Sequence, residues 1–404
     1  MLEFEYTAKD RASNEQVHST VKAESEKAAA KLLMEQGYTP LSISEKSESS
    51  NPLSGLQNRV STKDRIVFTR QLATLINAGL PLAQSLHTVR DQTANKKLQS
   101  IAQDIVTSIE GGSSLSSAFA KHPKVFDDVF IALVSAGEAS GTLDRALERI
   151  ADQQEKDAEI MNKVKGAMVY PLIVSFVMVG VIVFMLVTVV PQVGKLYKDL
   201  HQELPLLTQI MVGTSAVIQQ FWWLILIVTG VGIFFLKRWA ETDGGRSFFD
   251  SMKLNVPMFG PLFRKLYMAR FARTTETLMS TGVPMLETLN ITQRAVNNVH
   301  IAEAVQRAAD KVKGGKALSQ ALKNEDYVLP LVPQMISIGE QSGGIDAMLA
   351  KAATFYENEL DQTIRAISTM IEPILMVLLA LVAGVMIGAV LFPIYALVGN
   401  GAVR

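Results

Sequence analysis

The chain has 404 residues, and its 39 basic side chains (Lys and Arg) balance its 39 acidic ones (Asp and Glu), which leaves no net charge at pH 7. A global positive field that would attract nucleic acid is absent, so no direct nucleic-acid partner is predicted. The lack of cysteine excludes disulfides, iron–sulfur clusters and thiolate zinc sites, and the five scattered histidines predict neither a metal centre nor a catalytic triad. We therefore expect no catalytic residue, no cofactor and no bound metal. The length predicts two or three domains.

Residues 1–46 predict a small α/β module. Alternating side chains indicate strands near residues 4–6, 16–21 and 40–43. A helix is predicted over residues 25–36, with its apolar side chains on one face.

A linker rich in Ser, Glu and Asn, residues 47–60, separates this module from a polar region, residues 61–168. The spacing of Ser and Asp at 61–64 is that of a capping box, which predicts the start of a helix. Further along, Gly79 predicts a left-handed helix end and Pro81 the first turn of the next helix. Strand signals are weak throughout this region, so we predict a bundle of about six helices.

The most specific polar motif of this bundle is the pentapeptide Gly-Glu-Ala-Ser-Gly at residues 137–141. One interpretation is a connector between helices, in which Gly137 and Gly141 set the backbone angles and the polar side chains satisfy free amides. The other is a surface for a moving partner, with Glu138 as the contact residue. The two interpretations are compatible.

Glu155 and Glu159 place two carboxylates one helical turn apart, and Glu357 and Asp361 do the same later in the chain. Such neighbours repel each other unless something neutralises them. A solvated helix face, a divalent cation or a basic partner would each account for this pattern.

Three long apolar segments predict transmembrane helices, at residues 169–190, 214–236 and 371–397. The first has about 22 residues, which at a rise of about 1.5 Å each cover about 33 Å, enough to cross the hydrocarbon layer. Long helices buried in a protein core are the alternative, and three such runs in one chain argue against it.

Residues 191–213 are predicted as a short loop outside the cell membrane and residues 398–404 as a tail on the same side. Only two basic residues, Lys195 and Lys198, lie in the first of these segments, whereas many more lie at the opposite ends of the spans. The positive-inside rule then places the N-terminus and both helical regions in the cytoplasm and the C-terminus outside. The acidic N-terminal sequence lacks the pattern of a signal peptide, in agreement with this orientation.

Residues 237–370 repeat the first helical region, at an offset of 203 residues early in the repeat and 202 later. We therefore predict a second cytoplasmic bundle of about six helices. The repeated positions are Gly79, Pro81, Gly137, Gly141 and Pro171 in the first copy, and Gly282, Pro284, Gly339, Gly343 and Pro373 in the second.

The repeat continues into the membrane, because Tyr170-Pro171 and Glu372-Pro373 open the first and third spans at matching positions. Pro171 is expected to bend its helix near the membrane surface. The tyrosine suits the membrane interface, whereas the glutamate would face headgroups or a protein partner.

The spans carry no ionisable side chain at depth. Transporters and channels usually place such groups within their membrane helices, so a scaffold is favoured over a transporter. A transporter remains the alternative of a different class, and a flux assay in liposomes would separate the two.

Several stretches together resemble the type II secretion F / type IV pilus inner-membrane platform family, and the resemblance covers nearly the whole chain. The stretches that carry it are residues 68–74 (FTRQLAT), 77–82 (NAGLPL), 112–116 (GSSLS), 136–141 (AGEASG), 163–171 (KVKGAMVYP), 204–208 (LPLLT), Asp250, 254–260 (LNVPMFG), 269–273 (ARFAR), 338–343 (IGEQSG) and 371–373 (IEP).

The resemblance implies a multi-pass inner-membrane platform without enzymatic activity, whose loop at residues 191–213 and tail at residues 398–404 lie in the periplasm. It also implies a type IV pilus role, in which the platform couples a hexameric assembly or retraction motor ATPase to the polymerisation and depolymerisation of pilin or pseudopilin subunits. Inner-membrane alignment proteins, the lipid bilayer and further copies of the chain are the other implied partners. A type II protein secretion platform is the alternative.

We expect the residues that couple this machine to be Glu138 and Glu340 in the repeated turns, with Tyr170 and Glu372 where bundles meet membrane. Charge reversal at Glu138 is expected to abolish assembly while the protein persists. One difference between the two copies stands out, where residues 274–276 (TTE) replace residues 71–73 (QLA), so the two bundles need not bind the same partner.

Overall fold

The computed structural model describes residues 2–10, 16–23, 30, 32, 38–45, 59–199 and 206–399. This part of the chain is mainly helical, with three strands near the N-terminus, which confirms the predicted fold class. The chain divides into two compact units, Met1–Asp64 with Thr93–Ser100 and Arg65–Gln92 with Ile101–Arg404.

The N-terminal strands form one antiparallel sheet in the order β2-β1-β3. The strands are β1 (Leu2–Asp10), β2 (Gln16–Ala23) and β3 (Tyr38–Glu45). The three predicted strands are therefore confirmed. The helix predicted over residues 25–36 lies outside the described residues, apart from two helical positions, Ala30 and Leu32.

Six helices form the first lobe. They are α1 (Thr62–Asn77), α2 (Leu82–Gln92), α3 (Lys96–Glu110), α4 (Leu115–Ala120), α5 (Asp128–Ser140) and α6 (Leu143–Phe184). The capping box is confirmed at the start of α1, because Ser61 and Asp64 exchange backbone-to-side-chain hydrogen bonds of 3.2 and 3.1 Å.

Beyond α6 the described residues form a π-helical turn (Met185–Val189), α7 (Val190–Asp199) and α8 (Leu206–Ala240). Much of the segment predicted as a loop, residues 191–213, is therefore helical. Its helix α7 is amphipathic, with Val193 and Tyr197 buried, and a side chain at Gly194 would meet Val212 of α8 at 3.2 Å. Packing of this short apolar face against α8 stabilises the helix. In the sequence, Pro191 and the lysines of this segment obscure the helical pattern.

Seven helices form the second lobe, and the last of them runs on as an apolar helix. They are α9 (Asp243–Asn255), α10 (Gly260–Ser280), α11 (Met285–Ala295), α12 (Val299–Lys313), α13 (Leu318–Leu322), α14 (Leu331–Ser342) and α15 (Ile345–Gly399). Six of them, α10 to α15, repeat α1 to α6, and α9 precedes the repeat.

The two copies share their left-handed glycines. Six glycines of the described residues have positive φ, between +70° and +89°, and they form three repeat-related pairs. Because L side chains rarely adopt this conformation, these positions favour glycine in both copies. The pairs are Gly79 with Gly282, Gly112 with Gly315, and Gly141 with Gly343.

Each lobe has its own apolar core. In the first lobe the rings of Phe119, Phe126 and Phe130 pack with centroids 4.5 to 4.8 Å apart. The second lobe buries a larger cluster that includes Phe271 and Tyr356. Residues of α6 from the first lobe also pack against this second cluster, so the two lobes share a contact surface along α6.

Three helices of the described residues are long and apolar enough to span a bilayer. They lie within Leu143–Asp199, Thr208–Ala240 and Ile345–Gly388. The first and third of these are continuous with the last helix of a lobe. α6 continues through Pro171, and the irregular turn lies further along, at Met185–Val189.

Candidate functional site

The repeated Gly-Glu-x-Ser-Gly motif forms the turn between the last two helices of each lobe. In the first lobe, Gly141 ends α5 in the left-handed conformation, and the Thr142 amide donates to the Gly137 carbonyl at 2.9 Å. A Cβ on Gly137 would lie 2.6 Å from the Cβ of Ala146 in α6. Glycine at this position therefore lets α5 and α6 approach closely.

Glu138 projects from this turn onto the N-terminus of α4. Its carboxylate accepts hydrogen bonds from the backbone amides of Leu115 and Ser116, at 2.5 and 3.1 Å, and from the Ser116 hydroxyl at 2.7 Å. The first amides of a helix have no partner within the helix, and the helix dipole favours a negative charge there. Glu138 thus joins α4 to the α5–α6 turn.

The second lobe repeats this arrangement. Glu340 accepts from the amide and hydroxyl of Ser319 at 3.2 and 2.5 Å, at the N-terminus of α13. A Cβ on Gly339 would lie 2.6 Å from the Cα of Ile345. These contacts give both glutamates a connecting role inside their own lobes. Whether the same turns bind a moving partner stays a prediction.

The paired carboxylates on the long helices are neutralised within the chain. Glu155 receives two hydrogen bonds from Arg70, both of 2.7 Å, and Glu357 receives two from Arg273, both of 2.9 Å. The hydrogen bonds from Arg70 lower the pKa of Glu155 below its usual value. The two arginines are repeat-related, so the same bidentate pair joins the first and last helices of each repeat, α1 with α6 and α10 with α15.

The remaining two carboxylates share one lysine. The Nζ of Lys163 lies 2.9 Å from Glu159 and 2.7 Å from Asp361, which connects α6 to α15 just before both enter their apolar segments. The described residues contain no group of three or more side chains that could hold a metal ion. Of the three explanations given for the paired carboxylates, the basic partner is therefore present, and it lies within the chain itself.

The lobes meet where the two copies of the repeat differ in sequence. The Arg149 guanidinium donates to Glu276 at 3.1 Å, and the amide of Gln153 donates to the Thr274 hydroxyl at 3.1 Å. Thr274 is fully buried. Residues 274–276, which replace residues 71–73 of the first copy, thus provide polar groups through which the second lobe contacts α6 of the first lobe.

Tyr170 and Glu372 lie on exposed faces at the starts of the first and third spans. The Tyr170 side chain is 55% exposed. Of the predicted coupling residues, the structure thus places two in bonded turns inside the lobes and two on open surface next to the membrane.

Comparison with known proteins assigns the chain to a family. The family described as type II secretion system (T2SS), protein F matches residues 68–191 and 271–393, one match in each lobe. The N-terminal domain of type II secretion system protein F matches residues 1–44. The chain belongs to the type II secretion system protein F family. Because this is a family of membrane platform proteins and three helices have membrane length, the chain is a multi-pass inner-membrane protein.

Relatives within the F family carry two kinds of name. A type IV pilus assembly protein PilC from Thermus thermophilus is 37% identical over 99% of both chains. A PilC from Myxococcus xanthus is 38% identical over 84% of this chain and 82% of its own. A type II secretion system protein F from Aeromonas hydrophila is 34% identical over 90% of this chain and 95% of its own.

Proposed function

We propose that this chain is the inner-membrane platform protein of a type IV pilus assembly machine. Relatives of nearly full-length coverage are named pilus assembly proteins, and the sequence of the first repeat resembles the pilus branch. The proposed role is mechanical: the platform passes the motion of a cytoplasmic motor to subunits in the bilayer, without catalysing a reaction itself.

One structural observation carries this proposal: each lobe is continuous with a membrane-length helix. α6 and α15 begin inside the lobes, where Leu147 and Leu349 are fully buried, and run without a break into apolar segments. Lys163 joins the two helices before those segments begin. A rotation or tilt of the lobes would therefore move the membrane helices as levers, because long helices bend only gently.

The proposed partners follow from this role. A hexameric assembly or retraction ATPase would bind the lobes, pilin subunits would contact the membrane helices, and inner-membrane alignment proteins and further copies would complete the platform. The N-terminus and both lobes lie in the cytoplasm, and the C-terminus lies in the periplasm. Tyr170 and Glu372 are the proposed coupling contacts at the membrane, and Glu138 and Glu340 position the turns behind them.

A platform of a type II secretion system is the second candidate, because relatives of similar identity carry that name. The lobes and spans would serve both machines in the same way. A transporter is disfavoured, since the apolar segments lack ionisable groups at depth.

Deletion of the gene, with a complemented strain as control, tests the proposal by negative-stain electron microscopy of the cell surface. We expect surface filaments to vanish and to return with the gene. Filaments that persist while secreted proteins disappear from the culture supernatant would assign the chain to a secretion system. Unchanged filaments and unchanged secretion, together with solute flux in liposomes, would favour the transporter.

A further inference from the structure

Helix α9 is fixed within one turn of the end of the second membrane-length helix. α8 ends at Ala240 and α9 begins at Asp243, with Thr242 as its N-cap. The Thr242 hydroxyl donates to the Trp239 carbonyl at 2.6 Å and accepts from the Gly245 amide at 3.2 Å. A Cβ on Gly245 would overlap that carbonyl oxygen, so this sharp return requires glycine.

The inner face of α9 is locked into the second lobe. Leu254 is fully buried there, and the Asp250 carboxylate accepts from the Val299 amide at the start of α12 at 3.0 Å. The orientation of α9 about its own axis is therefore set, and its opposite face is directed outward.

That outward face is apolar and aromatic. Phe248 is 55% exposed and Met252, one turn later on the same face, is 44% exposed. The Trp239 ring, also 44% exposed, lies 5.5 Å from the Phe248 ring and 5.6 Å from the Phe249 ring, centroid to centroid. A tryptophan in the last turn of a membrane helix is typical of the interface between hydrocarbon and headgroups.

Two exposed basic side chains lie beside this aromatic cluster. Lys237 and Arg238 occupy the last turn of α8. Arg246 of α9, by contrast, donates to Asn297 at 3.3 Å and lies one turn before Asp250 on the inner face. The nearby acids, Glu241 and Asp243, sit at the N-terminus of α9, where they complement the helix dipole. Basic groups beside a membrane helix attract anionic lipid headgroups.

We propose that α9 is an interfacial helix that binds the lipid leaflet from which α8 emerges. Phe248 and Met252 insert among the acyl chains beside Trp239, and Lys237 and Arg238 bind anionic headgroups. The lipid surface is the occupant that fits best, because the outward face begins within one turn of a membrane span and combines an aromatic cluster with a basic rim. Through α9, the second lobe is thereby attached to the membrane surface in addition to its connection to the membrane-spanning helices.

The absence of cysteine makes a direct test possible. Full-length F248C and M252C, each labelled with an environment-sensitive fluorophore, are reconstituted in vesicles with brominated acyl chains. The matched control is E303C, an exposed charged position on α12. We expect at least a two-fold quenching of both α9 labels relative to unbrominated vesicles, and no quenching at position 303. Labels on α9 that stay unquenched and water-accessible would overturn the proposal, and so would shielding that depends on protein concentration, which would indicate a protein partner.

The binding of anionic headgroups is tested with the double variant K237Q/R238Q. In vesicles containing phosphatidylglycerol, the wild-type protein is expected to unfold at a higher temperature than in pure phosphatidylcholine. The variant should lose most of this difference and still fold in both. An equal difference in the variant would show that these basic groups do not bind the anionic headgroups.

Discussion

The Arg149 guanidinium of one lobe and the Glu276 carboxylate of the other lie 3.1 Å apart, at a place where the two copies of the repeat diverge. Glu276 is only 13% exposed, and it also lies 3.6 Å from Arg273, which belongs to the bidentate pair inside the second lobe. The contact between the lobes is thus connected to the pair that joins α10 and α15, the first and last helices of the second repeat.

Removal of this carboxylate should loosen the lobes. We expect E276A to lower the free energy of unfolding by about 1–2 kcal/mol, because it leaves two arginines with one partner fewer in a largely desolvated site. The matched control is R294A, which breaks the half-exposed pair of Arg294 with Asp128 between the same lobes. That change should cost less than about 1 kcal/mol, since exposed ion pairs contribute little. Thermal unfolding in detergent measures both, and equal losses would contradict the ranking.

Close packing at the repeated turns predicts a second pair of outcomes. G137A and G339A should each destabilise the protein by about 1–3 kcal/mol, because the new methyl group overlaps the following helix. G166A is the control: a Cβ there meets nothing within 4 Å, and the residue lies inside α6. Alanine at 166 should be neutral or slightly stabilising. A neutral G137A would show that α5 and α6 can move apart at no cost.

Charge reversal at Glu138 is now expected to act on stability first. E138K would leave the Leu115 and Ser116 amides without their acceptor and place a positive charge at a helix N-terminus, at a cost of about 1–3 kcal/mol. The protein should therefore decline in the membrane fraction together with assembly, contrary to the expectation from sequence that it persists. E138Q keeps an acceptor oxygen and should retain most of the protein. Immunoblots measure the amount of protein, and filament counts measure assembly. A wild-type amount of E138K protein without filaments would support a role of Glu138 in binding a partner.

Local features of this fold could be predicted from sequence, whereas contacts over long distances could not. Gly79 and Gly141 end helices because of their own backbone freedom, and the capping box at Ser61 depends on residues three positions apart. The Arg149–Glu276 contact joins residues 127 positions apart. In the sequence, the only indication of it is the difference between the two copies at residues 71–73 and 274–276. Residues 190–199 do have an amphipathic pattern, but the helix also depends on packing against α8, which the local pattern does not show.

The pH dependence of stability should reflect Glu325. Its burial alone would raise the pKa, but the hydrogen bonds from Lys311 and Arg307 outweigh burial and lower the pKa below the ordinary value of 4.5. The unfolded state therefore binds a proton more readily, and the stabilisation by Glu325 is present above pH 4.5 and lost as the pH falls through the folded-state value.

E325Q removes this titration. At pH 7 the variant should unfold at a lower temperature than the wild type, and the difference should narrow as the pH falls below about 4.5. Scanning fluorimetry from pH 7 to pH 3.5 measures it. A constant difference over this range would show that the ionised carboxylate does not contribute.

The π-helical turn within the first span predicts a membrane-specific effect. Its Leu186 and Val187 carbonyls accept hydrogen bonds from side chains of α8, the first from Ser215 and the second from Gln219 at 2.9 Å. Lipid offers these carbonyls no replacement donor, so Q219L should weaken the pairing of the two spans by about 0.6–2 kcal/mol. The adjacent Q220L, which removes no bond to this turn, is the control. Crosslinking between cysteines introduced in α6 and α8 reports the pairing, and equal crosslinking in both variants would mean that the π turn is stable without its polar partner.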